Sequence, residues 1–186
     1  MRIIGGSFKG RKIFQPKDKK TRPLRDLVKE SIFNLIEHSS KFDCSIEKSE
    51  VLDLFSGVGS FGIECISRNA KRVNFVENYK DSLKILKKNI FALDIKEKCQ
   101  INEQNCFKFF DMKNNILRKF DIIFIDPPYR EERINFIIDK IKERKVLDKG
   151  GILIIHRHKN DNISISSKLK ILDERNYGIS KIIIGN

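Results

Sequence analysis

The 186-residue sequence predicts an α/β fold built on a mostly parallel, doubly wound sheet. Three observations carry that prediction. From Glu50 onward, short apolar runs alternate with segments of helical period, the pattern of strands joined by crossover helices. A glycine cluster, Gly57-Val58-Gly59-Ser60-Phe61-Gly62, follows the first of those runs and opens the first of those helices. The chain closes with two apolar runs, Leu169–Leu172 and Ile179–Ile184, around Asn176-Tyr177-Gly178, which reads as a C-terminal antiparallel hairpin.

The elements follow in chain order. Arg2–Ile4 and Arg11–Phe14 flank a turn running from Gly5-Gly6 to Gly10 and predict a small N-terminal β-hairpin. Gln15–Thr21 reads as a charged loop, and Pro23 stands where a helix can start. Leu24, Leu27, Val28, Ile32, Leu35 and Ile36 keep a helical period on one face, while Asp26, Glu30, Phe33 and Asn34 fall on another. Ser39–Ser49 is a polar linker. Strands are expected at Val51–Phe55, Arg72–Val76, Cys99–Ile101, Phe120–Ile125 and Gly151–Ile155. Helices are expected near Phe61–Arg68, Lys80–Ala92, Cys106–Leu117 and Glu132–Arg144. The organisation is therefore an N-terminal basic extension, residues 1–49, before a sheet-bearing unit, residues 50–186, with no internal repeat.

Charge is unevenly spread. The formal net charge is +13. Part of this reflects residue usage skewed by an AT-rich genome, since the chain holds 26 Lys, 30 Ile and 14 Asn but 2 Ala. Residues 1–25, however, carry nine basic residues against Asp18 alone, which places +8 in that segment and +5 in all the rest. Codon usage would spread charge more evenly, so the segment reads as an arm or face for a polyanion. Cys44, Cys65, Cys99 and Cys106 form no C-x-x-C pair and no zinc spacing, and read as free thiols of a reducing cytoplasm. His156 and His158 read as solvated strand-end histidines, so no metal is expected. Neither a signal peptide nor an apolar stretch of membrane-spanning length is visible.

The motif with the most chemistry in it is Asp126-Pro127-Pro128-Tyr129, directly after the apolar run Ile122–Ile125. Two prolines stiffen the strand exit and remove two backbone donors. What they leave is a cluster of acceptors beside an aromatic ring. That cluster suits a planar exocyclic amine, whose N–H groups meet the acceptors while its ring stacks. The glycine cluster, with Glu77 twenty residues beyond Gly57, also fits a dinucleotide site. Asp53 argues against that reading. It is expected to point into the crevice, where it would repel a pyrophosphate and attract a sulfonium or ammonium. No separate substrate domain follows the sheet either.

The order Asp53-Leu54-Phe55-Ser56-Gly57-Val58-Gly59, Glu77, Asp126-Pro127-Pro128-Tyr129 resembles the class I, Rossmann-like S-adenosylmethionine-dependent methyltransferases that act on exocyclic amines. Arg2-Ile3-Ile4-Gly5-Gly6, Gly10-Arg11-Lys12 and Thr21-Arg22-Pro23, followed by Asp26, Val28, Glu30, Phe33 and Asn34, resemble the RsmD-type enzymes. These methylate a guanine N2 amine in bacterial small-subunit ribosomal RNA.

The resemblance implies a role for each matching position. Asp53, Phe55, Ser56, Gly57 and Gly59 would hold the methionine part of S-adenosyl-L-methionine, Glu77 its ribose, and Asn105 with Cys106 its adenine. Asp126, Pro127, Pro128 and Tyr129 would position the target base. Arg22, Asp26 and Glu30 would form a helical wall or lid, and Arg2, Lys9, Arg11 and Lys12 would bind RNA. The chain departs from the pattern at Leu24, where Thr is common, and at His156, where an acid is expected. The expected partner is ribosomal RNA or the assembling small subunit, met by a monomer. Competing readings are an amine methyltransferase acting on DNA or a protein glutamine, an NAD-dependent oxidoreductase, and a non-enzymatic RNA-binding domain.

Overall fold

The computed structural model describes residues 1–16, 24–111, 118–161 and 163–186. Among them, seven strands form one sheet in the order β3-β2-β1-β4-β5-β7-β6. These are β1 (Glu50–Leu54), β2 (Arg72–Glu77), β3 (Cys99–Glu103), β4 (Phe120–Ile125), β5 (Leu147–His158), β6 (Ile171–Tyr177) and β7 (Ser180–Gly185). The first five pair in parallel, and β7 joins β5 and β6 antiparallel. The helices are α1 (Asp26–His38), α2 (Ser60–Ser67), α3 (Lys80–Leu93), α4 (Cys106–Asp111) and α5 (Ile134–Glu143).

Strand alternation sorts the core into two layers. Val51, Ile122, Phe124, Ile152 and Ile154 face one side, with Val28, Ile32 and Phe33 of α1, Phe61 of α2 and Leu86 of α3. Leu52, Leu54, Ile123, Ile125 and Ile155 face the other, with Phe107 and Phe110 of α4 and Ile137 and Ile141 of α5. Both faces of the central strands are thus covered, which is why they read as unbroken apolar runs. The strand order reverses direction between β1 and β4, so their carboxyl ends open a crevice between the two halves.

The N-terminal segment forms the expected small hairpin, with Arg2 opposite Lys12 in antiparallel pairing. Ile3 donates to the Arg11 carbonyl at 2.9 Å, Gly10 to the Ile3 carbonyl at 2.8 Å and Ile13 to the Met1 carbonyl at 3.1 Å, and a short 3-10 turn at Gly6–Phe8 lies between the arms. A buried carboxylate on α2 seats it. Glu64 accepts the backbone N–H groups of Ile4 (2.9 Å) and Gly5 (2.7 Å). Gly6 sits at φ +72, where an added Cβ would lie 1.8 Å from the Ser67 carbonyl oxygen. Only glycine lets the segment seat this closely. Lys29 of α1, fully buried, donates to the Arg2 carbonyl at 2.7 Å and lies 3.3 Å from Glu64. Burial lowers the Lys29 pKa, and the Glu64 charge opposes that shift.

The buried face of α1 is also rotated from the expected one. Leu27 is 69% exposed, whereas Phe33 is fully buried and stacks on Phe61 at 5.2 Å. The Arg68 guanidinium covers the Phe33 ring at 4.6 Å. In the C-terminal hairpin, β6 lies beyond the expected Leu169–Leu172 and carries Asp173, Glu174 and Arg175. It is an edge strand, where charged side chains are tolerated and discourage further pairing. Its turn is Gly178-Ile179, because Tyr177 pairs with Ser180. Strand β5 runs longer than the expected Gly151–Ile155, from Leu147, with a register shift opposite Phe120/Ile122.

Candidate active site

A cavity of about 580 Å³ opens at the carboxyl ends of β1, β2, β4 and β5. Its walls include Phe55, Ser56, Gly57, Val58 and Ser60 from the glycine loop, and Glu77, Asn78 and Tyr79 from the exit of β2. Asp126, Pro127, Pro128 and Tyr129 come from the exit of β4, and His156 from β5. Met1, Gln15 and Pro16 complete it from the N-terminal segment.

The glycine loop gets its shape from backbone conformation. Phe55 turns at φ +56 directly after β1, a rare conformation for an aromatic residue. Gly57 and Gly59 follow at φ +56 and +84. Gly59 is the N-cap of α2, and a Cβ there would stand 2.5 Å from Leu86. Glu77 holds this loop. Its Oε2 accepts from the Gly57 N–H at 2.8 Å, and its Oε1 from Asn78 and Tyr79 at 2.8 and 2.7 Å. A carboxylate offers about four acceptor sites, so three backbone donors leave room for one further donor at Oε2.

Asp53 is placed differently from the expectation. It is 1% exposed and absent from the cavity wall, behind the loop, with its carboxylate accepting from the Gly62 N–H at 3.0 Å. Burial raises its pKa well above the ordinary value, opposed by the Gly62 hydrogen bond and reinforced by Asp126 and Glu77. Its position on β1, with Val51 and Leu52 ahead of it, fixes it at the strand end, but the tight turn at Phe55 folds the loop over it.

Asn105 and Cys106 also lie off the cavity wall. Asn105 caps α4, its Oδ1 accepting from the Phe107 N–H at 2.9 Å. Cys106 is buried, and its Sγ accepts from the Phe55 N–H at 3.3 Å and lies 3.8 Å from the Val76 carbonyl. It braces the start of the loop from behind. Burial pushes its thiol pKa up, which keeps it protonated.

On the other side, Asp126 is partly exposed and its Oδ1 lies 2.8 Å from His156 Nδ1. His156 Nε2 lies 2.9 Å from the Ser180 hydroxyl of β7. The expectation of a solvated His156 is overturned, for it is 7% exposed. The carboxyl end of β5 is flanked by β4 and β7, so this strand end is interior. Tyr129 is 42% exposed at the rim, edge-on to His158 at 5.4 Å. Its carbonyl accepts from Arg157 at 3.4 Å.

Asp26 and Glu30 do not reach the cavity. Asp26 pairs with Arg2 at 3.7 Å and Glu30 is exposed, because α1 spends its inner face on the core layer behind the sheet. Arg22 lies outside the described residues. Lys9, Arg11 and Lys12 are exposed, with Arg11 donating to the Ala92 carbonyl of α3 at 2.9 Å. Sequence reasoning missed Met1, Gln15 and Pro16 as wall residues. No local motif marks them, since Asn89 of α3 brings the segment there by bonding both the N–H (2.8 Å) and the carbonyl (3.2 Å) of Phe14. Among the described residues no cluster of His, Cys, Asp and Glu could hold a metal ion. No helix among them is long and apolar enough to cross a membrane.

This strand order, with a glycine loop after β1, an acid at the end of β2 and an Asp-Pro-Pro-Tyr exit from β4, defines a class I methyltransferase. The whole chain, residues 1–186, matches the family model described as conserved hypothetical protein 95, and it belongs to that family. The "ribosomal RNA small subunit methyltransferase D" of Haemophilus influenzae is 32% identical over 96% of this chain and 90% of its own length. The protein of the same name from Buchnera aphidicola (Acyrthosiphon pisum) is 34% identical over 88% of this chain and 81% of its own. A solved "putative methylase" of Haemophilus influenzae, 30% identical, superposes with a TM-score of 0.77 over 99% of this chain and 96% of its own.

S-adenosyl-L-methionine is the cofactor of this class, and the residues here fit it. Ser56 lines the cavity and its buried hydroxyl has no hydrogen-bond partner among the described residues, Glu77 retains an acceptor site, and a Cβ on Gly57 would meet only open space. Those groups match a ligand that offers hydroxyl donors and passes close over the loop backbone.

Proposed function

We propose that this protein methylates the exocyclic N2 amine of a guanine in small-subunit ribosomal RNA, acting as a monomer on the RNA or on the assembling subunit. The observation that carries the reading is the placement of Asp126-Pro127-Pro128-Tyr129 on the wall of the cavity that the glycine loop also lines. The names of the relatives support the RNA substrate.

Ser56, Gly57 and Glu77 would hold S-adenosyl-L-methionine, which supplies an electrophilic methyl group. Asp126 does the substrate's part of the chemistry. A guanine amine is a poor nucleophile because its lone pair is delocalised into the ring. When Asp126 and the Pro127 carbonyl accept its two N–H groups, the nitrogen is drawn toward tetrahedral geometry and the lone pair localises. Methylation leaves a surplus proton on that nitrogen, and Asp126 is placed to take it. Positioning of the amine against the methyl donor supplies the rest of the acceleration. Tyr129, partly exposed at the rim, offers a face for the base. A stacked base cannot reach this cavity, so the target must be flipped or already unstacked.

The RNA-facing side is read from charge. Lys9, Arg11 and Lys12 are exposed, and the N-terminal segment continues along α3 before entering the cavity wall at Gln15. There the Lys88 ammonium sits 3.9 Å over the ring of Phe14, and Phe91 is 85% exposed. Basic groups beside exposed rings suit a single strand, through phosphate contacts and base stacking.

The test is transfer of labelled methyl groups to small-subunit RNA, naked and assembled, with the modified nucleotide mapped. Incorporation at a guanine N2 is expected. Incorporation only into DNA or a protein glutamine would replace this reading.

A further inference from the structure

We infer that His156 is a positioning residue for Asp126: a chain Ser180–His156–Asp126 crosses three adjacent strands and holds one carboxylate oxygen, so that the other faces the target amine. This rests on the proposed role of Asp126 as the amine's acceptor.

The geometry is specific. His156 Nδ1 meets Asp126 Oδ1 at 2.8 Å and Nε2 meets Ser180 Oγ at 2.9 Å. Both flanking groups are fixed by the sheet. Asp126 directly follows Ile125, which is in register with Ile155 beside His156, and Ser180 opens β7 opposite His158. The imidazole is 7% exposed and Ser180 is 2% exposed, so neither is freely hydrated.

The chemistry sets the proton positions. An ionised carboxylate only accepts, so Nδ1 must carry a hydrogen that it donates to Asp126. A hydroxyl can donate or accept, so Ser180 meets Nε2 whether or not that nitrogen carries a hydrogen. Ser180 is too buried to act as a nucleophile, and the chain serves to orient the carboxylate. Without it, what holds Asp126 among the described residues is a long backbone hydrogen bond, its N–H to the Leu54 carbonyl at 3.5 Å. Its carboxylate would then be free to rotate and to exchange both oxygens with water. A donor that fixes a catalytic carboxylate from behind acts on turnover, because the bond to the amine matters most in the transition state. Asp53, behind the loop, interacts electrostatically with Asp126. Arg157, paired with Asp161, follows His156 on β5, and Lys181 follows Ser180 on β7.

Two measurements test this, one of them independent of activity. Nitrogen NMR of the protein without RNA should show His156 protonated at Nδ1 near neutral pH. An Nε2-protonated neutral imidazole would overturn the proposal. In kinetics, His156→Leu should lower kcat by about tenfold or more, with the KM for RNA and the affinity for S-adenosylhomocysteine changed by less than about twofold. His156→Asn, whose amide can replace the Nδ1 donor, should recover most of that loss. An unchanged kcat in His156→Leu, failure of Asn to rescue, or loss of cofactor affinity with kcat would each overturn it, the last two by showing a packing role. Asp126→Asn run alongside keeps the two readings apart. If that variant is fully active, the proposed role of Asp126 fails. If it is inactive while His156→Leu is normal, only the positioning role fails.

Discussion

The two halves of the cavity hold their carboxylates by different means. On the cofactor half, backbone N–H groups do it: Gly62 for Asp53, and Gly57, Asn78 and Tyr79 for Glu77. On the substrate half, Asp126 is held by the side chain of His156, itself held by Ser180. Backbone donors come with the turn that brings them, and any sequence forming the glycine loop provides them. A side-chain donor must be supplied by another strand, and it can be exchanged without disturbing the loop. The cofactor half is therefore built for constancy and the substrate half for adjustment.

The largest effect is expected at Asp126. Asp126→Ala should lower turnover on RNA by roughly a hundredfold or more, in the range found for general bases and preorganised polar groups. Calorimetry should show an unchanged affinity for S-adenosylhomocysteine. A weakened cofactor affinity of similar size would erase the division between the halves.

Glu77→Ala should act on cofactor and fold together. Losing a charged acceptor should weaken S-adenosylhomocysteine binding by on the order of 1.5–3 kcal/mol. The same variant should melt earlier, because three backbone donors are left without their acceptor. Unchanged binding by calorimetry would remove Glu77 from the cofactor site and leave it a loop anchor.

Asp53 offers a pH test. Burial raises its folded-state pKa, so the protonated form is the one the fold favours. Its contribution to stability is complete below the unfolded pKa of about 3.9 and is lost as pH rises through the raised folded value. Asp53→Asn keeps an acceptor for Gly62 and cannot ionise. The melting temperature of the parent should therefore fall relative to that of the variant as pH climbs above about 4. A parent that gains on the variant with rising pH would show that ionised Asp53 is stabilised in place.

Effects on RNA affinity alone are expected on the RNA-facing side. Neutralising Lys9, Arg11, Lys12 and Lys88 together should weaken RNA binding and flatten its salt dependence by about 0.7 in log–log slope for each phosphate that no longer meets a cation. Phe91→Ala should cost about 1–3 kcal/mol in RNA affinity if a base stacks there. Neither change should touch cofactor binding. Equal salt slopes for variant and parent would make these lysines and arginines a solvated face.

Much of the fold and site was legible in the chain because it is written locally. The alternation of apolar runs and helical segments pointed to the parallel sheet, since strands covered on both faces must be apolar throughout. The glycine loop, Glu77 and Asp126–Tyr129 could be placed from their strand ends, because a parallel sheet puts successive carboxyl ends on one edge. Boundaries were less legible where a distant partner set them. The N-terminal hairpin formed as expected, but its seat is set by Glu64, sixty residues away, which takes the N–H groups of Ile4 and Gly5.

The sequence by itself determined the class of fold, the edge where chemistry occurs and the residue types gathered there. Periodicity and turn chemistry are short-range properties, and these features depend on nothing longer. Only the tertiary structure decided where the carboxylates point. Asp53 turned behind the loop because Phe55 and the glycines fold over it. His156, read as a solvated strand end, became the interior support of Asp126 because β7 returns antiparallel beside β5 and brings Ser180 to its other nitrogen. That chain joins residues 30 and 24 positions apart across three strands, and hydrogen bonds of this kind leave no periodic trace in the sequence.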